Sequence, residues 1–161
     1  MDEIEKKIEQ WSIQMPELDT NPMAITSRVL RVAKHMSDEL TKSFTGYELT
    51  DAGFDVLATL LRMGPPHALS PNQLIQQMLI TSGTMTSRID LLESKNLVKR
   101  TTNKKDKRSV SVSLTSKGLN LIEKVITEHA KSQRKLVSNF SQAEQKQFKK
   151  LLQKYLTQVG Y

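Results

Sequence analysis

The sequence predicts a mainly α-helical chain interrupted by one short β-hairpin, and three observations lead there. Apolar residues recur at spacings of three and four through most of the 161 residues, the signature of one-sided helices. From about residue 97 the period switches to two, and Val110, Val112 and Leu114 alternate with Ser109, Ser111 and Ser113. The same stretch concentrates the charge. Residues 95–117 hold eight Lys/Arg against one Asp, a net +7, which equals the net charge of the whole chain with its 24 basic and 17 acidic residues; the remainder balances at 16 against 16. A neutral body with one basic finger points to a localised contact with a polyanion.

Each element follows from local chemistry. Ile4, Ile8 and Trp11 share one face of a short helix that Pro16 ends. Asn21-Pro22 reads as the next helix start, Asn as cap and Pro in the first turn. From there Ile25, Val29, Val32, Met36 and Leu40 form a stripe running to about Phe44. Thr50 caps a third helix carrying Phe54, Leu57, Leu60 and Leu61, which stops at Gly64-Pro65-Pro66. Ser70-Pro71 opens a fourth with Leu74, Ile75 and Met78, and a fifth begins near Thr81-Ser82 with Met85, Ile89 and Leu92 inward. Two helices joined by a tight link form a helix-turn-helix, whose second helix enters the DNA major groove.

Leu97-Val98 then leads one strand and Val110–Leu114 forms the other, with a polar, charged loop over 103–108 between them. Thr115 caps a long sixth helix with Leu119, Ile122, Val125, Ile126, His129, Leu136, Val137 and Phe140 on its apolar side. Ser141 and Glu144 form a capping box for a last helix, with Phe148, Leu151, Leu152, Tyr155 and Leu156 facing inward.

Composition narrows the function. The chain has no cysteine, so disulfides and thiolate metal sites are excluded. His35, His67 and His129 are widely spaced and carry no metal-ligand motif, and no metal or other cofactor is expected. No apolar run approaches a membrane span, and Met1-Asp2-Glu3 is no signal peptide, so the expected location is the cytoplasm without membrane contact. An enzyme is not expected: there is no His in an acidic motif, no Gly-rich phosphate loop and no paired-carboxylate context.

The resulting architecture is a winged helix-turn-helix held between helical ends. It is one domain over 1–161, with residues 50–114 as the DNA-binding lobe and 1–45 and 115–161 as dimerisation helices. The terminal stripes lie too far from the central core to be buried by it. Pairing of two chains buries them and sets two recognition helices on a palindromic double-stranded DNA site.

The residues over 106–118, Asp106-Lys-Arg108-Ser-Val-Ser-Val112-Ser-Leu114-Thr115-Ser-Lys-Gly118, match the wing pattern D-x-R-x-x-x-V-x-L-T-x-x-G of the MarR family of transcription regulators at every defined position. Upstream, Thr84-Met-Thr-Ser-Arg-Ile89-Asp-Leu-Leu92-Glu93 followed by Leu97-Val98 resembles that family's recognition helix and lead-in. A narrower resemblance is to its urate-responsive branch, whose members carry an extra N-terminal helix bearing a Trp. That resemblance implies a ligand pocket built by Trp11, Asp55, Arg88 and Arg100, taking a small aromatic or purine-like anionic effector. Departures are Ser27-Arg28 in place of the usual Gly-Arg, and Asn103-Lys104-Lys105, which makes the wing more basic than usual.

The candidate DNA-binding residues are Ser82, Thr84, Thr86, Ser87 and Arg88 on the recognition helix, and Lys104, Lys105, Lys107 and Arg108 on the wing. Small hydroxyls permit a close approach to base edges, Arg is the usual reader of guanine, and wing cations reach phosphates. Plainer readings stand beside these. The wing could be a solvated charged loop, Trp11 could be simple packing, and Asp55 with Arg88 could be a structural ion pair; Asp106, between four cations, reads as a wing brace paired with an Arg rather than as a DNA contact. The expected function is a ligand-responsive repressor. The alternatives are an architectural or ligand-independent DNA binder and, third, a helical protein-interaction module.

Overall fold

The computed structural model describes residues 2–78, 82–102 and 110–160, with Ser82 and Gly83 described by their backbone alone. In chain order the elements are α1 (Glu3–Gln14), α2 (Asn21–Thr45), α3 (Asp51–Arg62), β1 (Ala68–Leu69), α4 (Pro71–Met78), α5 (Ser82–Ser94), β2 (Val98–Thr102), β3 (Val110–Leu114), α6 (Ser116–Leu136) and α7 (Gln142–Gln158). The chain divides into two compact units, Met1–Leu40 and Thr41–Tyr161. The architecture is mostly helical with one small antiparallel sheet, a winged helix-turn-helix, as the sequence predicts.

In the first unit Asp2 caps α1, its Oδ1 accepting the Glu5 N–H at 2.7 Å. Arg28 of α2 donates Nε to Asp2 at 3.0 Å and Nη2 to Glu5 at 2.5 Å, tying the two helices together. The start of α2 differs by a step from expectation. Asn21 is already helical, and the Asp19 carboxylate accepts its N–H at 3.0 Å, so an acidic side chain upstream does the work expected of Asn21.

The second unit holds the core. Val56, Leu57 and Leu60 of α3, Leu74 of α4, Met85, Ile89 and Leu92 of α5, Val98 and Val112 of the sheet, and Ile122 and Val125 of α6 are almost completely buried. Thr50 caps α3 by accepting the Gly53 N–H at 3.1 Å. Ser70 and Gln73 cap α4 reciprocally, Oγ accepting the Gln73 N–H at 3.2 Å and Oε1 accepting the Ser70 N–H at 2.8 Å. The Ser141–Glu144 capping box of α7 forms as predicted.

Three expectations are corrected. The wing is part of a three-stranded sheet ordered β1-β3-β2 rather than a two-stranded ribbon, with Ala68 opposite Ser113 and Leu69 opposite Val112. A two-residue strand is too short to show a period. Helix α6 stops at Leu136, leaving Val137 as its C-cap and Phe140 in the following turn. The α7 stripe does not face inward: no residue of that helix is buried, and Leu151, Leu152, Tyr155 and Leu156 are exposed, Tyr155 by 65%. Phe148 alone of that stripe finds an aromatic neighbour among the described residues, Phe140, with centroids 5.9 Å apart.

The end of α5 and the start of α6 form one joint. Asn96, at φ 58°, closes α5 in a Schellman arrangement, with Leu97 N–H donating to Leu92 O at 2.9 Å and Asn96 N–H to Glu93 O at 2.9 Å. Thr115 N–H donates to Leu97 O at 3.1 Å, its hydroxyl donates to Asn96 O at 2.7 Å and also accepts the Gly118 N–H at 3.0 Å. Gly118 lies so close that a Cβ there would sit 1.9 Å from Leu97 O. Replacing Gly118 by Ala is therefore expected to destabilise the fold by about 3 kcal/mol in urea or thermal unfolding. Gly46→Ala, where a Cβ meets nothing within 4 Å, should change stability by less than about 0.5 kcal/mol.

Candidate nucleic-acid interface and effector site

Helix α5 turns three of its apolar residues, at 85, 89 and 92, to one side, while a fourth, Leu91, is exposed. Met85, Ile89 and Leu92 are each 1% exposed and lock the helix into the core. Thr84, Thr86 and Ser87 lie on the exposed side, and Arg88 is half-buried. This is the surface that a major groove requires: short polar side chains on an anchored helix. The side chain of Ser82, and Lys104, Lys105, Lys107 and Arg108 with Asp106 between them, lie outside the described residues.

The base of the wing is described. Arg100 on β2 pairs with Val112 of β3 across the ladder. Its Nη2 donates to Asp90 Oδ1 at 2.5 Å and its Nη1 to Glu93 Oε2 at 2.6 Å, while its backbone N–H donates to Glu93 Oε1 at 2.9 Å. Both carboxylates belong to α5. Arg100 thus bolts the wing to the recognition helix, and the two acids, Asp90 foremost, hold its guanidinium above the usual arginine range.

Asp55 stands on the exposed side of α3 and forms no hydrogen bond or ion pair among the described residues. Desolvation raises its pKa above the ordinary value of 3.8; the charge of Arg88 opposes that rise, Asp51 adds to it, and His129 opposes it. Asp55 and Arg88 therefore feel each other's charge without an ion pair, so the plain structural salt bridge between them is not formed. His129 of α6 is buried. Its Nδ1 lies 2.8 Å from Ser43 Oγ and its ring 4.7 Å from that of Phe54. Burial lowers its pKa, with the Asp55 charge acting the other way. Among the described residues no cluster of His, Cys, Asp or Glu could hold a metal ion.

Beside Asp55 a cavity of about 490 Å³ opens between α3, α4 and α6, lined by Asp55, Ala58, Thr59, Leu61, Arg62, Gln77, Met78 and Ile126. Arg62 and Gln77 were not singled out by the sequence reading. The available signal was helical spacing, since Arg62 lies seven residues, about two turns, after Asp55 on the same face. Trp11 belongs to the first unit, where it is 41% exposed beside Lys7, Gln10 and Gln14. The structure thus relates Asp55 to Arg88 and commits Arg100 to Asp90 and Glu93.

This fold and helix–wing arrangement define a winged-helix DNA-binding regulator. The profile described as MarR family matches residues 47–109. The HTH-type transcriptional regulator PecS of Dickeya dadantii (strain 3937) is 37% identical over 150 residues, covering 93% of this chain and 90% of PecS. Among solved structures, a mutant of E. coli MarR complexed with operator DNA matches with a TM-score of 0.71 and 25% identity, covering 87% of this chain and 99% of that one. AbsC from Streptomyces coelicolor, a MarR family transcriptional regulator, shares the fold with a TM-score of 0.75 and 22% identity over 88% of this chain and 95% of its own. The chain belongs to the MarR family of transcriptional regulators, which are non-enzymatic DNA-binding proteins. Among the described residues no helix is long and apolar enough to cross a membrane.

Two measurements check the site. Arg100→Ala removes a partly exposed double ion pair and should cost about 1 kcal/mol in unfolding, less in high salt. Because the folded pKa of Asp55 is raised, its protonated form favours the fold; the associated stability is present below pH 3.8 and is lost as pH rises through the folded value. Asp55→Asn should therefore be more stable than wild type at pH 7, with the advantage closing at or below pH 3.8 in chemical denaturation.

Proposed function

We propose that the protein is a homodimeric repressor, acting in the cytoplasm, that binds a palindromic operator and is released by a small planar organic anion, with urate among the candidates. The division of α5 into a locked apolar face and an exposed Thr84/Thr86/Ser87 face carries this reading. Ser82, Thr84, Thr86, Ser87 and Arg88 read the major groove, and Lys104, Lys105, Lys107 and Arg108 grip flanking phosphates. Residues 50–114 act as the DNA-binding lobe, while 1–45 and 115–161 pair two chains. The exposed Ile25, Val29 and Leu30 of α2 and Leu151, Tyr155 and Leu156 of α7 supply apolar surface for that pairing.

Asp55 is the element that senses effector, together with Trp11, Arg88 and Arg100. A donor group engaging the Asp55 carboxylate changes the field that this carboxylate exerts on Arg88, and so acts on the recognition helix. Drawing Arg100 toward a ligand would loosen its hold on Asp90 and Glu93 and release the wing base. The effector relieves repression only through its greater affinity for the state that does not bind DNA.

Gel-shift titration with the chain's own upstream region, against random competitor DNA, tests the first part. A dimer neutralising roughly eight phosphates should show a log–log salt slope near about −7, and a slope shallower than about −2 would remove the wings from the interface. For the effector part, Asp55→Asn and Trp11→Phe should keep operator binding but need at least about tenfold more urate for release. Wild-type response in both variants would sink the assignment.

A further inference from the structure

The outward surface of α5 is not polar throughout. Leu91 is 45% exposed, a large aliphatic side chain on the helix that reads DNA in the function proposed above. At about 3.6 residues per turn it projects between the directions of Ser87, one turn earlier, and Thr84, two turns earlier. That side is turned away from Met85, Ile89 and Leu92, which already lock the helix into the core. Leu91 therefore adds little to packing and stands where the groove-facing residues stand.

The polar side chains around it are engaged inside the protein. Asp90 Oδ1 accepts from Arg100 Nη2 at 2.5 Å, and the two oxygens of Glu93 accept from the Arg100 N–H and Nη1 at 2.9 and 2.6 Å. Ser94 Oγ donates back to the Leu91 carbonyl at 2.8 Å. Just beyond the helix, Lys95 Nζ donates to Glu48 O at 2.7 Å. Hydroxyls and a guanidinium for polar readout thus fall in the first half of α5, at Thr84, Thr86, Ser87 and Arg88. One turn further on, the helix offers solvent the two methyls of Leu91.

Alone among the four bases, thymine presents a methyl group in the major groove, and apolar side chains are its partners there. We propose that Leu91 extends the base-reading surface of α5 by one turn and seats a thymine C5 methyl in each half-site, as a specificity-determining residue. The proposal rests on the DNA-reading role of α5 in the proposed function and names a base which that helix selects. Selection works in two directions. A thymine methyl loses water together with the leucine, whereas the exocyclic amine of cytosine or adenine set against it would lose water and gain no hydrogen bond. The contact is also uncharged, so it releases no counterions and leaves the salt dependence of binding to the cations.

Fluorescence-anisotropy titration of the full chain against its own upstream region tests this, with the duplex made either with thymine or with deoxyuridine in place of every thymidine. Burying one methyl is worth about fourfold in binding, and two about fifteenfold. Wild type should bind the thymine duplex at least about fourfold tighter than the deoxyuridine duplex. Leu91→Ala should cut that preference at least about threefold, and Leu91→Met, which keeps an apolar tip, should retain it. The log–log salt slope of Leu91→Ala should stay within about 0.5 of wild type, and its Tm within about 2 °C, because the side chain is at the surface. Equal affinity of wild type for the two duplexes, an unchanged preference in folded Leu91→Ala, or a slope shallower by about one or more in that variant overturns the proposal. If wild type prefers its upstream region to random DNA while Leu91→Ala keeps the full thymine preference, the DNA-reading role of α5 stands and Leu91 drops out of it. If wild type does not distinguish that region from random DNA, both fall.

Discussion

The joint at Asn96-Leu97 and Thr115–Gly118 is the constraint on which the arrangement of the DNA-binding parts depends. The Leu97 carbonyl accepts from the Thr115 N–H, and the missing side chain at Gly118 lets α6 approach it. Through that contact the end of the recognition helix, the first strand of the wing and the long α6 share a few residues. A helix end that terminated in solvent would leave its last carbonyls to water and its direction to chance. Here the Schellman closure and the Thr115 cap satisfy those groups with one another, so the direction of α5 is set by the start of α6. Lys117 adds a further link, its Nζ donating to Lys95 O at 3.0 Å.

The electrostatics sort into committed and uncommitted charge. Arg28 is spent on Asp2 and Glu5, and Arg100 on Asp90 and Glu93. These pairs fix neighbouring elements and contribute little long-range field, because each is neutralised locally. The basic finger seen in the sequence is therefore not uniform: its base is partly cancelled by acids of α5. On α3, Asp55 carries a charge that only groups beyond hydrogen-bond reach offset.

Much of this was legible in the sequence because much of it is local. Thr50, Ser70, Thr115 and Ser141 cap helices through contacts within three residues, and spacing alone placed Met85, Ile89 and Leu92 inward. Strand β1 was not legible, because its two residues are a strand only by pairing with β3. Nor was the bond partner of Arg100, since the same position could serve a ligand or a helix. Arg62 and Gln77 gave no signal alone, for a surface Arg and a surface Gln are ordinary until a cavity lies between them.

The sequence by itself determined the helical and strand periods, the caps, the locked face of α5, the concentration of charge at the hairpin and the family. These depend on residue type and on neighbours a turn or two away. Tertiary structure alone decided which charges are already spoken for and where the chain leaves a hole. Those properties belong to pairs of residues distant in sequence: Arg100 with Asp90 and Glu93, Asp55 with Arg88, Gly118 with Leu97. Burial and distance set their energies, and neither is a property of a residue until the chain has folded.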